Sequence, residues 1–248
     1  MRKMGLLVLI LCGLYSSANA AEVTVAVASN FSAPMQKIAQ AFEQETGHKA
    51  LLSFGSTGNL YAQIRNGAPY QVLLAADDAT PLKLEADGLG VAGSLFTYAT
   101  GTLVLWSKQP GLVDERGDIL RSGKFERIAM ANPKLAPYGA AAIESLTQMG
   151  VWQAVQPKVV QGENISQTYQ FIATENAQLG FVALSQIMSE GRVSQGSAWV
   201  VPAHLHSPIR QDAILLTKGR DAPAAEALLR FLRSERARAL VRSFGYAL

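Results

Sequence analysis

The sequence predicts an α/β protein of two lobes, each a mainly parallel sheet flanked by helices, with a ligand cleft between them. Three observations predict it. Short apolar runs alternate with amphipathic helical stretches, the mark of strands joined by helical crossovers. The alternation comes in two blocks. Two apolar runs, Leu95 to Trp106 and Ala213 to Thr217, stand between and after the blocks, where a chain crossing between lobes would need them.

Val23 to Val27 reads as a buried strand. Ser32 then caps a helix whose Met35, Ile38, Ala39 and Phe42 share one face, and Gly47 closes it. Leu51 to Phe54 is the next strand. Asn59 to Arg65 is a helix burying Leu60 and Ile64, ended by Gly67. Gln71 to Ala75 is a strand, and a helix over 79–86 stops at Gly88. The second block opens with a strand from Arg127 to Ala131. A helix over 139–149 buries Ala142, Leu146 and Met149 and ends at Gly150. Lys158 to Val160 is a strand, Ser166 to Thr174 a helix carrying Tyr169 and Ile172, and Leu179 to Ala183 a strand. A C-terminal helix capped by Asp221 buries Ala225, Leu228, Leu229 and Leu232. A last helix runs from Ser234 to Gly245. The two crossings divide the chain into lobe 1 (21–100 plus 205–248) and lobe 2 (101–204), a connection that permits hinge closure on a ligand.

The first residues stand apart from this pattern. A basic start, an apolar run from Gly5 to Leu14 and small residues ending in an A-x-A pattern predict a signal peptide over 1–20, cleaved after Ala20. The run is shorter than the about 20 residues of a membrane span. Of the 22 basic residues, Arg2 and Lys3 lie in this leader, so the mature chain is close to neutral against its 19 acidic residues. Nucleic acid is therefore not an expected partner, because phosphate contacts need clustered Lys and Arg. The single cysteine, Cys12, is also in the leader. Disulfide and thiolate chemistry are excluded from the mature chain.

In open α/β sheets, ligands bind where strands end and helices begin. Four such turns are Ala28–Ser32, Gly55–Asn59, Asn132–Gly139 and Gly162–Ser166, three of them rich in hydroxyls, amides or glycine. Helix N-termini carry unpaired N–H groups and the positive end of the dipole. Several converging ends make an anion site without a formal positive charge. Ser29 and Thr57 offer hydroxyls. Asn30, Tyr138 and Ile165 offer backbone N–H groups. Capping alone would also explain each hydroxyl singly.

The stretches Val25-Ala26-Val27-Ala28-Ser29-Asn30-Phe31 and Ser53-Phe54-Gly55-Ser56-Thr57-Gly58-Asn59-Leu60 resemble the periplasmic molybdate-binding proteins. So do Gly67-Ala68-Pro69-Tyr70, Ala136-Pro137-Tyr138-Gly139, Gly162-Glu163-Asn164-Ile165-Ser166, Leu179-Gly180-Phe181-Val182-Ala183 and Phe244-Gly245-Tyr246, in order along the whole mature chain. The resemblance implies the two-lobed periplasmic binding protein fold, type II-like, and a tetrahedral oxyanion held by neutral donors. It implies Ser29, Asn30 and Thr57 as ligands from lobe 1, with Ser56 as the alternative to Thr57, and Tyr138 and Ile165 from lobe 2. Another branch of the family uses a tyrosine hydroxyl where this chain has Ala183, and Asn30 takes that role here. The implied ligand is molybdate or tungstate, with no cofactor and no metal coordinated directly by side chains. The implied partners are the permease and ATPase of an ABC importer, and the chain is expected to be a periplasmic monomer.

The competing readings are a binding protein for another oxyanion such as sulfate, and an enzyme on the same scaffold. Catalysis finds no support in the residues. Gly55-Ser56-Thr57-Gly58 lacks the spacing of a nucleophile elbow, and no Gly-Lys-Ser/Thr is present. His204 and His206 lack a third metal ligand nearby. An amino-acid site would want an Arg and a carboxylate facing each other. Arg65 and Asp77 lie near the helices of lobe 1, but Arg65 is at the far end of its helix, away from the cleft. Glu163 is expected to face solvent. Trp106, Trp152 and Trp199 are read as core and hinge packing.

Overall fold

The computed structural model describes residues 20–189, 192–193 and 195–248. The predicted leader lies outside the described residues, apart from Ala20. Among the described residues, no helix is long and apolar enough to cross a membrane.

β1 (Glu22–Ala28) is the first apolar run. Its Val23, Val25 and Val27 pack beneath α1 (Ser32–Thr46), while Ala26 faces α2 (Thr57–Arg65) on the other side of the sheet. The strand is thus covered on both faces, as parallel strands must be. β2 (Lys49–Gly55), β3 (Val72–Leu74), α3 (Ala79–Ala86) and β4 (Phe96–Gly101) follow. The expected crossing at Leu95 to Trp106 holds β4 and a second strand, β5 (Leu103–Ser107), joined by Thr102.

The second half contains α4 (Ile119–Ser122), β6 (Ile128–Ala131), α5 (Pro137–Gln148), α6 (Trp152–Val155), β7 (Val159–Gly162), α7 (Ile165–Ala173), β8 (Leu179–Ala183) and α8 (Leu184–Ile187). β9 (Met188–Ser189) and β10 (Arg192–Val193) pair with each other, and β11 (Ser197–Val200) lines the outside of β5. The chain then returns as β12 (Ile209–Leu215) and finishes in α9 (Pro223–Leu232) and α10 (Glu235–Ser243). Asp221 does not cap α9. It sits in the left-handed region at φ 62°, and Ala222 precedes Pro223 at the first helical position. The preset φ of proline starts the helix instead.

The sheets have orders β2-β1-β3-β12-β4 and β11-β5-β8-β6-β7. Each contains three parallel strands in the spatial order second, first, third. Each then receives an antiparallel strand arriving from the other half, β12 in one and β5 in the other. The two crossings run side by side: Gly101 pairs with Ile209, and the Val201 N–H donates to the Leu103 carbonyl at 3.0 Å.

A buried polar network fills the junction where these crossings meet. Asn30 Nδ2 donates to Gln211 Oε1 at 2.8 Å and to the Tyr246 hydroxyl at 3.0 Å. The Tyr98 hydroxyl donates to Gln211 Oε1 at 3.1 Å, and Gln211 Nε2 donates to the Tyr138 hydroxyl at 3.2 Å. Ser185 Oγ lies 3.0 Å from the Tyr246 hydroxyl. Burial is the main reason that all three phenols titrate above their ordinary value, Tyr246 at about 12 and Tyr98 and Tyr138 well raised.

The folded state therefore keeps phenolic protons that the unfolded chain releases above about pH 10. Stability from these groups is fully present below that pH and is lost as pH rises towards the folded values, by about 1.4 kcal/mol per pH unit per tyrosine. Urea titrations at pH 8, 10 and 11 should show a steep fall beyond pH 10. The triple change Tyr98→Phe, Tyr138→Phe and Tyr246→Phe should flatten that arm, and an unchanged slope would show that the phenols do not set it.

Candidate functional site

Each parallel strand next to the cleft ends at the start of a helix. β1 runs into a 3-10 turn, Ser29–Phe31. β2 runs through Ser56 into α2, β6 through a loop into α5, and β7 through Asn164 into α7. The four turns meet around one small pocket. Ser29, Asn30, Thr57, Tyr138 and Ile165 all line it, as does Ser56. Its lining contains no Asp, Glu, Lys, Arg or His.

The donors differ in what already engages them. Thr57 and Ile165 are first residues of their helices, and Tyr138 is the second of its own. None of these N–H groups has an acceptor within its helix. Gly58 N–H is taken by the Leu135 carbonyl at 2.9 Å, a bond between the two lobes. Thr57 Oγ1 accepts from the Ala76 N–H at 3.0 Å, which leaves its own proton to donate. Ser56 Oγ is buried without a hydrogen-bond partner among the described residues. Of the two hydroxyls at this turn, Ser56 therefore has the one with full capacity, and Thr57 has a second, structural job.

Asn30 is placed differently from a simple side-chain donor. Both of its amide hydrogens are spent in the buried network on Gln211 and Tyr246. What it leaves to the cavity is its backbone N–H. That N–H belongs to the Ser29–Asn30 peptide, whose carbonyl accepts from Ser32 Oγ at 2.7 Å and Ser166 Oγ at 3.2 Å. In a trans peptide the N–H and C=O point in opposite directions. Donors behind the carbonyl both orient the N–H and polarise it.

A wider cavity forms the mouth of the cleft. It shares Ala76, Ala136 and Pro137 with the inner one and is lined by charged groups, among them Asp77, Asp78, Lys134, Glu144 and Arg210. Asp77 accepts from the Thr80 N–H at 2.8 Å and the Thr80 hydroxyl at 3.1 Å. Burial nonetheless holds its carboxyl above the usual range, with Asp78 and Asp212 adding to the rise. The inner cavity, not the larger mouth, collects the helix ends. Glu163 is exposed to solvent. Arg65 lies beside Tyr61 rather than in either cavity. Among the described residues, no group of three His, Cys, Asp or Glu could hold a metal ion. Trp106 and Trp199 are buried and Trp152 half-buried.

Sequence reasoning missed Tyr98, Ser185, Gln211 and Tyr246, which stand behind the site rather than in it. One signal was available. Gln211 and Asp212 are polar yet buried in the middle of β12, beside the exposed Arg210.

Comparison with known proteins agrees with this architecture. The family profile described as bacterial extracellular solute-binding protein matches residues 23–247. The molybdate-binding protein ModA of Azotobacter vinelandii is 55% identical over 232 residues, covering 94% of this chain and 92% of its own. ModA of Rhodobacter capsulatus is 47% identical over 234 residues, covering 94% and 91%. A solved structure of an Azotobacter vinelandii periplasmic molybdate-binding protein superposes with a TM-score of 0.88 at 39% identity, covering 91% of this chain and 99% of that one. The chain therefore belongs to the bacterial extracellular solute-binding proteins, among the relatives named ModA.

Proposed function

We propose that this chain captures molybdate, and tungstate with it, in the periplasm and delivers it unchanged to the permease and ATPase of an ABC importer. In this reading residues 1–20 direct export, lobes 21–100 plus 205–248 and 101–204 close as two bodies of a monomer, and the anion sits in the inner cavity. One observation carries the reading. The cavity is lined by hydroxyls and helix N-termini, with no charged side chain and an unpaired buried hydroxyl at Ser56. The curated relatives at 55% and 47% identity are named as molybdate-binding proteins.

The chemistry of the anion suits such a lining. Molybdate at neutral pH is a fully deprotonated dianion and can only accept hydrogen bonds. Phosphate keeps a proton and needs an acceptor, which the lining side chains do not provide as a carboxylate. The proposed donors are the hydroxyls of Ser29, Ser56 and Thr57 and the backbone N–H groups of Asn30, Tyr138 and Ile165. Hydrogen bonds to a charged group contribute about 1.5–3 kcal/mol each, enough in sum for tight binding after the losses of association.

Two measurements test this. Thermal melting of the mature protein with molybdate, tungstate, sulfate or phosphate in excess should show a clear rise for the first two alone, since a ligand stabilises the state it binds. A rise with sulfate alone would keep the site and replace its ligand. The second compares the two hydroxyls. Ser56→Ala should leave the unliganded protein as stable as before, because it removes a buried group with no partner, while molybdate affinity falls roughly 10- to 100-fold. Thr57→Ala should also destabilise the unliganded protein, by about 1–3 kcal/mol, because it strands the buried Ala76 N–H. Equal behaviour of the two variants in melting and calorimetry would contradict this division.

A further inference from the structure

We infer that Ser185 and the C-terminal Tyr246 form a closure latch on the back of the anion-binding turn, setting how long the ligand stays although neither residue touches it. The inference rests on the reading that an anion binds in the inner cavity. Neither side chain lines that cavity. Both converge instead on the backbone carbonyl of Asn30: Ser185 Oγ donates to it at 2.9 Å, and so does the Tyr246 hydroxyl, also at 2.9 Å. The two hydroxyls are 3.0 Å apart, and Asn30 Nδ2 reaches the Tyr246 oxygen at 3.0 Å. All three residues are buried.

The three groups come from different parts of the molecule. Asn30 follows β1 in the first sheet. Ser185 is on α8, directly after β8 of the second sheet. Tyr246 lies in the tail after α10, which is fastened to β4 of the first sheet by mutual bonds between Thr100 and Ala247 at 2.8 and 3.1 Å. Its ring stands edge-on to Phe31, 5.3 Å between centroids. Tyr246 therefore stays with Asn30 whatever the cleft does, whereas Ser185 arrives with the other lobe. On this inference the Ser185 bonds are made when the lobes come together, and an interaction made in one state alone shifts the population towards it. Tyr246 holds Asn30 in place to receive Ser185, so the same turn that presents Ser29 and Asn30 to the ligand is gripped from behind on closure.

Two substitutions separate the latch from general damage. Ser185→Ala leaves the Asn30 carbonyl with Tyr246 and is the cleaner test, whereas Tyr246→Phe keeps the ring packing and leaves the carbonyl with Ser185 but takes from Asn30 Nδ2 one of its two acceptors. In stopped-flow displacement, Ser185→Ala should release molybdate about tenfold faster, the effect of one lost buried hydrogen bond, with association little changed. Melting of its unliganded form should match the parent. Tyr246→Phe should also speed release, and the double variant should fall short of the product of the singles because both act on one carbonyl.

A second readout needs no anion. The chain has no cysteine beyond Cys12, so dyes at Gln44→Cys and Gln148→Cys, both exposed and on opposite lobes, report closure by energy transfer. Ser185→Ala should lower the closed fraction. Unchanged release together with an unchanged closed fraction would overturn the latch. A lower closed fraction in a protein whose parent ignores molybdate would sustain the latch and overturn the ligand instead.

Discussion

A dianion leaves water only if something replaces the hydration it loses. A pocket without a cationic side chain must do this with partial charges, and those fall off within one helical turn. The donors must therefore be the very first residues of several helices, all brought to one point. That constraint fixes the strand order. With β1 between β2 and β3, the ends of β1 and β2 lie side by side, and β6 and β7 repeat the arrangement in the facing sheet. The fit is tight enough to restrict side chains. A Cβ at Gly139, in the first turn of α5, would run into the carbonyl of Ala131 at the end of β6. Only a glycine lets that helix start close enough to bring the Tyr138 N–H to the cavity.

The same constraint explains why the halves are joined by exchanged strands. Donors from both halves must surround one small anion, yet the anion must be able to enter. Two adjacent crossings, at Gly101–Leu103 and Val201–Ile209, lie side by side along one line, the arrangement that hinge closure would use. Gly101 lies on that line, and a Cβ there would meet the Tyr138 hydroxyl and Gln211 Nε2. The buried tyrosine network is thus packed against the hinge itself. The geometry of the junction and the groups behind the pocket are set by one set of contacts.

The fold was legible because it rests on periodicity. Val23 to Val27, the α1 face of Met35, Ile38 and Phe42, and the α9 face of Ala225, Leu228, Leu229 and Leu232 are buried as their spacing requires. The turns that line the pocket stood out as strand ends running into helix starts, although capping would explain each hydroxyl singly. The failures were of three kinds. Short elements such as α4, α6 and β11 hold too few residues to show a period. Asp221 has the chemistry of a cap, but proline two positions on decides where the helix begins. The network of Tyr98, Ser185, Gln211 and Tyr246 joins residues up to 216 positions apart, and no local pattern announces a contact made only by the tertiary fold.

The division between a neutral pocket and a charged mouth follows from the same physics. A carboxylate inside the pocket would repel a dianion and would serve a protonated oxyanion as an acceptor. Asp77 is close enough to the pocket to do harm, one residue beyond Ala76 in its wall. Its oxygens are turned to Thr80 at the start of α3 instead, where they bond a backbone N–H and a hydroxyl. Burial raises its carboxyl above the usual range, which lowers the cost of its neutral form. Asp78, the next acid outward, lies 3.9 Å from Arg210. Acceptors are thus kept to the rim, bonded to a helix start or set beside a cation, and the interior is left to donors. An anion that needs to give up a proton would find no carboxylate among the residues lining the pocket.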